Sequence, residues 1–104
     1  MTASLYLLLA ILFEVAGTTS MKLSYGFTKM GPSISIFIFY ILSFTFLTLS
    51  LKRLEVSLAY AIWSGLGTLL IAIIGVCFFH ETMTVIKVAS LFLIIFGVMG
   101  LRLG

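Results

Sequence analysis

Four long apolar runs, separated by short polar breaks, account for nearly the whole chain. The first runs from about 3–21 and stops at Lys22. A turn-like stretch from Ser24 to Pro32 follows; Pro32 is the only proline and suits the first turn of a helix. The second run covers about 33–51, and Lys52-Arg53-Leu54-Glu55 breaks it. The third covers about 56–79. His80-Glu81-Thr82-Met83-Thr84 then makes a short hairpin, and the fourth run, about 85–101, ends at Arg102. Each run is long enough to cross a hydrocarbon core about 30 Å thick at about 1.5 Å per residue. In lipid only a helix satisfies its backbone within one such segment. The pattern predicts an all-α membrane protein: one domain over residues 1–104, made of four transmembrane helices with both termini on the same side.

Composition strengthens this reading. Of 104 residues, 62% are hydrophobic and 9% charged, against about 25% charged in a soluble domain. Four spans of about 20 residues leave no room for a soluble domain. The net charge of +3 is dispersed, with no basic run to suggest nucleic acid. A single cysteine, Cys77, excludes an intramolecular disulfide and a Cys-rich metal site. The N-terminus has neither a basic n-region nor an A-x-A cleavage pattern, so the first run is expected to be a retained helix. There is no nucleotide-binding Gly-rich loop with lysine, and His80 has no partner for hydrolytic or redox chemistry. No enzyme, cofactor or metal is expected, and an ATP-driven pump is excluded.

Charge placement bears on orientation. Lys52, Arg53 and Arg102 fall on the N-terminal side, and Lys22, Lys29 and Lys87 on the other. Short cytoplasmic loops normally carry the excess of Lys and Arg. The balanced count predicts insertion in both orientations; the alternative is a weak bias hidden by Lys87 lying inside its helix. Two oppositely inserted copies would pair as an inverted repeat, an architecture that places a binding site at the midplane.

Glu14 is the polar position around which the rest is organised. Glu55 and Glu81 fall in breaks, whereas Glu14 sits within about two residues of the centre of its run, about 3 Å from the midplane. A carboxylate there usually faces the protein interior or a water-filled cavity, and it escapes the cost of burial by taking a proton. Leu7, Ala10, Gly17, Thr18 and Met21 share its helical face, and Ala10 and Gly17 let another helix or a ligand approach. The second run carries Tyr40, Ser43 and Leu47 at similar spacing; the third carries Tyr60, Trp63, Ser64 and Gly67. Aromatic faces beside a carboxylate suit a cation with apolar bulk, and proton and cation then compete for one group, the minimal chemistry of an antiporter. Bland readings stand beside these. Tyr6 and Tyr25 are expected to be interface anchors, and Tyr60 and Trp63 fit that role equally well. Thr18 and Ser43 can simply bond backbone carbonyls, and Gly65-Leu66-Gly67 can loosen the third helix into a hinge. Ser90 and Gly97, seven apart in the fourth run, suit a helix–helix dimer face. Cys77 and His80 read as structural. Non-transporting assembly partner and ion channel are the two competing functional classes.

Two stretches carry a resemblance over nearly the full length: Phe13-Glu-Val-Ala-Gly-Thr-Thr-Ser-Met-Lys-Leu-Ser24 followed by Gly26-Phe-Thr28, and Ala59-Tyr-Ala-Ile-Trp-Ser-Gly-Leu-Gly67. Here the chain resembles the small multidrug resistance family of bacterial inner-membrane exporters. The resemblance implies an antiparallel, dual-topology homodimer that exchanges protons for cations by alternating access. It implies that Glu14 binds both, that Tyr40, Tyr60 and Trp63 line the pocket, that the fourth helix holds the dimer together, and that the first loop around Gly26 is a gate. The family's guanidinium exporters typically carry a tryptophan just after the glutamate. Gly17-Thr18 here resembles the quaternary-ammonium and multidrug branch, and small residues leave room for bulky cations. One departure is in the second loop, Leu54-Glu55-Val56, where that branch often has a proline. Guanidinium or polyamine export and a paired heterodimer are the alternatives within the family.

Overall fold

The structure, a computed structural model, describes residues 2–104. It contains four helices and, among the described residues, no strand: α1 (Thr2–Leu23), α2 (Met30–Ser50), α3 (Val56–Phe78) and α4 (Val85–Leu103). All four are long and apolar enough to cross a membrane. They form two helical hairpins, one through Leu54 and one from Glu55 onward, and each is described by itself.

In the first hairpin α1 and α2 meet along small residues. Ala3, Ala10 and Gly17 recur every seven residues on α1, and Ile36, Ser43 and Ser50 do the same on α2; all six are buried. A seven-residue period keeps one stripe of each helix against its neighbour. The α1 stripe runs in steps of four and three, from Ala3 to Leu7, Ala10, Glu14 and Gly17, so Glu14 takes the one ionisable position in an otherwise apolar stripe. Small residues allow the backbones to approach, and the Ser43 hydroxyl donates across the seam to the Ala10 carbonyl at 2.7 Å. Beside it runs an aromatic stack: Tyr6 on Phe46 (5.9 Å between ring centroids), Phe46 on Phe13 (5.7 Å) and Phe13 on Phe39 (6.2 Å).

The turn joining these helices is left-handed over three residues, with φ of +48° at Tyr25, +68° at Gly26 and +69° at Phe27. Two non-glycine residues in that region cost roughly 1 kcal/mol or more each. Ser24, only 1% exposed, holds the turn. Its carbonyl accepts from the amides of Thr28 (2.9 Å) and Lys29 (3.1 Å). Its hydroxyl donates to the Met21 carbonyl (2.8 Å) and accepts from the Phe27 amide (3.2 Å). Helix α2 begins at Met30, three residues before the expected start. Pro32 falls in its first turn, where an amide N–H has no intrahelical partner to lose.

In the second hairpin Gly65 sets the approach of α4 to α3: a Cβ there would stand 2.9 Å from Val98 Cγ2 and 3.3 Å from Ile94 Cγ2. Helix α3 runs unbroken through Gly65 and Gly67. It ends at Phe78, where the Gly75 carbonyl accepts from the amides of Phe79 (3.1 Å) and Glu81 (3.0 Å). The Glu81 carboxylate folds back onto Gly75, into space that a Cβ would occupy. Thr84 caps α4 by accepting from the Lys87 amide at 3.2 Å. Lys87 lies within α4, and its ammonium reaches back out of the helix to the Thr82 carbonyl at 2.7 Å. Helix α4 has no buried residue.

Candidate functional site

The site grows out of the α1–α2 seam. Glu14 and Thr18 are one turn apart, and the Thr18 hydroxyl donates to Glu14 Oε1 at 2.8 Å. The same hydroxyl lies 2.6 Å from the Tyr40 phenol oxygen on α2. Tyr40 OH also lies 3.7 Å from Met21 Sδ, one turn beyond Thr18. Gly17 makes the crossing possible: a Cβ there would stand 3.2–3.3 Å from three ring atoms of Tyr40. The absent side chain lets the ring lie across α1 and brings its hydroxyl to Thr18. Glu14, Thr18 and Tyr40 are each half-buried. The carboxylate is thus accessible and oriented by a neutral donor, and among the described residues no basic side chain is paired with it.

The other expected site residues of this hairpin divide by depth. Leu7, Ala10 and Ser43 are buried in the seam, with the Ser43 hydroxyl committed to the Ala10 carbonyl. Leu47 is half-buried one turn along α2 from Ser43. Gly26 stands at the apex of the left-handed turn with open space around it.

On the second hairpin, Tyr60 and Trp63 meet edge to face, 5.5 Å between centroids at 76°. Tyr60 is 60% exposed and Trp63 half-buried, so the Tyr60 ring faces outward from the start of α3 with Trp63 against it. The Ser64 hydroxyl donates to the Tyr60 carbonyl at 2.8 Å, within its own helix. On α4, Ser90 likewise donates to the Ile86 carbonyl at 2.8 Å, and Gly97 and Gly100 face open space. Such back-bonding satisfies hydroxyls that lipid would leave without partners.

Three features escaped the sequence reading. Spacing places Met21 on the Glu14 face, but the contact of its sulfur with Tyr40 OH has no signal in the chain. The stack of Tyr6, Phe13, Phe39 and Phe46 has its signal in two pairs spaced by seven. The role of Ser24 in the turn has none.

Four apolar helices, with one carboxylate set within the first span beside small and aromatic residues, define a multi-pass membrane protein. The family profile described as Small Multidrug Resistance protein matches residues 2–94, and the chain belongs to that family. It is 58% identical over 98 residues to the uncharacterized membrane protein YvaE of Bacillus subtilis (strain 168), covering 94% of this chain and 82% of that protein. It is 48% identical over 102 residues to the multidrug resistance protein EbrB of the same organism, covering 98% and 87%. To the quaternary ammonium compound-resistance protein QacH of Staphylococcus saprophyticus it is 42% identical over 98 residues, covering 94% and 92%. The chain is a multi-pass bacterial membrane protein.

Proposed function

We propose that this protein is a proton-coupled antiporter that exports lipophilic and aromatic cations, quaternary ammonium compounds among them, by alternating access. The carrying observation is the setting of Glu14: a half-buried carboxylate with no basic partner among the described residues, oriented by Thr18 and flanked by the Tyr40 ring. The names of the relatives, multidrug resistance for EbrB and quaternary ammonium compound resistance for QacH, support the substrate class.

The ionised carboxylate supplies the countercharge, and aromatic rings add cation–π attraction of roughly 0.5–2 kcal/mol each. A proton on Glu14 removes the countercharge, so binding of one excludes the other. Affinity for the cation therefore rises with pH and falls as Glu14 is protonated. A chain of four helices has little interior of its own. The working unit is an antiparallel homodimer in which two copies of Glu14 share one site near the midplane, and Tyr60, Trp63 and Ser64 join Gly17, Thr18, Tyr40 and Leu47 around the cation. Leu7, Ala10 and Ser43 form the wall behind it. Gly26 lies in the gating turn, and Ser90 and Gly97 pack the dimer. The cations and protons are small-molecule partners, the bilayer is the solvent, and no cofactor takes part.

Substrate-driven proton release from detergent-solubilised protein tests this reading, with tetraphenylphosphonium and guanidinium side by side. Release by the phosphonium, abolished in Glu14→Gln while dimerisation survives, is the expected result. Release by guanidinium alone would overturn the substrate class. An assembly defect in Glu14→Gln without any wild-type proton release would favour a non-transporting subunit.

A further inference from the structure

We infer that Thr18, Tyr40 and Met21 form a hydrogen-bond chain whose direction reverses with the charge of Glu14, so that carboxylate and phenol oxygen gain and lose their capacity for a cation together. This rests on the competition at Glu14 proposed above.

An ionised carboxylate only accepts, and a threonine or tyrosine hydroxyl has one proton to give. With Glu14 ionised, Thr18 gives its proton to Oε1 at 2.8 Å. It has none left for Tyr40, so the 2.6 Å contact between the two hydroxyls requires Tyr40 to donate. The phenol oxygen then donates one bond and accepts none from these groups, leaving its lone pairs open toward a cation. When a proton arrives on Oε1, the carboxylic acid donates to Thr18. Thr18 turns its own proton to the Tyr40 oxygen, and Tyr40 needs a new acceptor. Met21 Sδ, 3.7 Å away, is that acceptor; a thioether accepts weakly. Every hydroxyl keeps one proton throughout, and the only proton added is the one on Glu14. In the reversed chain a lone pair of Tyr40 is occupied while Glu14 is neutral.

The backbone arranges the four groups in order. Glu14, Thr18 and Met21 follow one another at steps of four and three on α1, and Gly17 leaves the space through which the Tyr40 ring reaches them. In the proposed dimer the second copy of Glu14 and Tyr60 share the site; within this hairpin the other titratable groups are remote. Tyr6 and Lys22 stand eight residues to either side of Glu14 on α1, about 12 Å along the axis. Tyr40 is the only titratable side chain within α2. Thr18 and Met21 are positioning residues, acting through the carboxylate and the phenol.

Binding of tetraphenylphosphonium to the full-length protein in detergent micelles, measured by calorimetry across acid to alkaline pH, tests the chain. Thr18→Val removes the donor to the ionised carboxylate. Charged acceptors lose more than neutral ones, so the pH at which half the affinity is lost moves up, by about one unit. Thr18→Ser keeps the hydroxyl and the wild-type profile. Met21→Leu keeps the bulk but removes the acceptor that only the reversed chain uses, so the profile moves to lower pH. Opposite displacements from two residues on one face are not expected of a structural role. Met21→Leu leaving the profile in place or moving it upward would overturn the chain, and that arm stands alone if Thr18→Val fails to assemble. A flat wild-type profile would overturn the competition at Glu14 itself, and the chain with it.

Discussion

Replacing Gly17 with alanine sets helix stability against site geometry. The added methyl group would stand 3.2 Å from Tyr40 Cε2 and 3.3 Å from Cδ2 and Cζ. Optimal carbon–carbon separation is about 3.5–4.0 Å, so the ring must retreat by roughly 0.4 Å. The Tyr40–Thr18 contact, 2.6 Å in the native site, then lengthens toward the weak end of its range. A neutral hydrogen bond contributes about 0.5–1.5 kcal/mol net, and losing about half of it weakens cation binding by a factor of about 1.5 to 3.5. The same substitution favours the helix itself by about 0.8–1.0 kcal/mol. The expected result is weaker tetraphenylphosphonium binding by intrinsic tryptophan fluorescence, with unfolding in denaturant unchanged or displaced toward greater stability. Affinity equal to or tighter than wild type would refute the crossing of Tyr40 over Gly17 as the source of the site. So would a loss of affinity in step with a loss of stability.

Other substitutions test the surroundings. Ser43→Ala removes the fully buried hydroxyl that bonds the Ala10 carbonyl across the seam; it should cost about 0.6–1.7 kcal/mol in unfolding measurements and leave cation affinity within about two-fold of wild type. Gly75→Ala places a methyl group where the Glu81 carboxylate sits; hydrogen exchange at the Glu81 amide should accelerate while the helical content of α3 is kept.

How much of this was legible beforehand differs by element, for physical reasons. The four spans were legible because lipid admits few alternatives: an apolar run of that length has to be helical. Their ends were less so. Helix α2 starts at Met30 because Pro32 is harmless anywhere in the first turn, so the proline marked the region of the start without marking the residue. The face of Glu14 was legible from spacing alone, which placed Thr18 and Met21 beside it. The partner across the seam was not. Tyr40 meets Thr18 only at one axial register of α1 on α2, and that register depends on Ala3, Ala10 and Gly17 fitting Ile36, Ser43 and Ser50. The sevens were visible in the chain, but which set opposes which was not. The left-handed turn was hidden more deeply. Gly26 signals such a backbone, whereas Tyr25 and Phe27 belong to residue types that avoid it, and they adopt it because Ser24 ties the flanking amides down. On α3, spacing put Tyr60, Trp63 and Ser64 together, yet the serine hydroxyl turns back to its own helix.

The outer face of α4 invites one more test of the proposed dimer. No residue of α4 is buried, and a Cβ at Gly97 or Gly100 would meet nothing within 4 Å. Glycine in a helix interior costs roughly 0.8–1.0 kcal/mol relative to alanine, so two of them weaken α4 by about 2 kcal/mol unless close approach by another element repays it. Lipid chains adapt to any apolar surface and need no notch. A second helix does, and Ser90, Gly97 and Gly100 make one along a single stripe. A Cβ at Gly97 meets nothing within 4 Å, so Gly97→Leu fills that notch from its open side, and the readout is the association between chains. The expected result, read by crosslinking across a range of protein densities in liposomes, is a dimer dissociation constant raised about ten-fold or more, with helical content unchanged by circular dichroism. About ten-fold corresponds to roughly 1.4 kcal/mol, modest for a leucine forced into a helix–helix contact. A dissociation constant equal to that of the wild type would show that α4 faces lipid and that the pairing surface lies elsewhere.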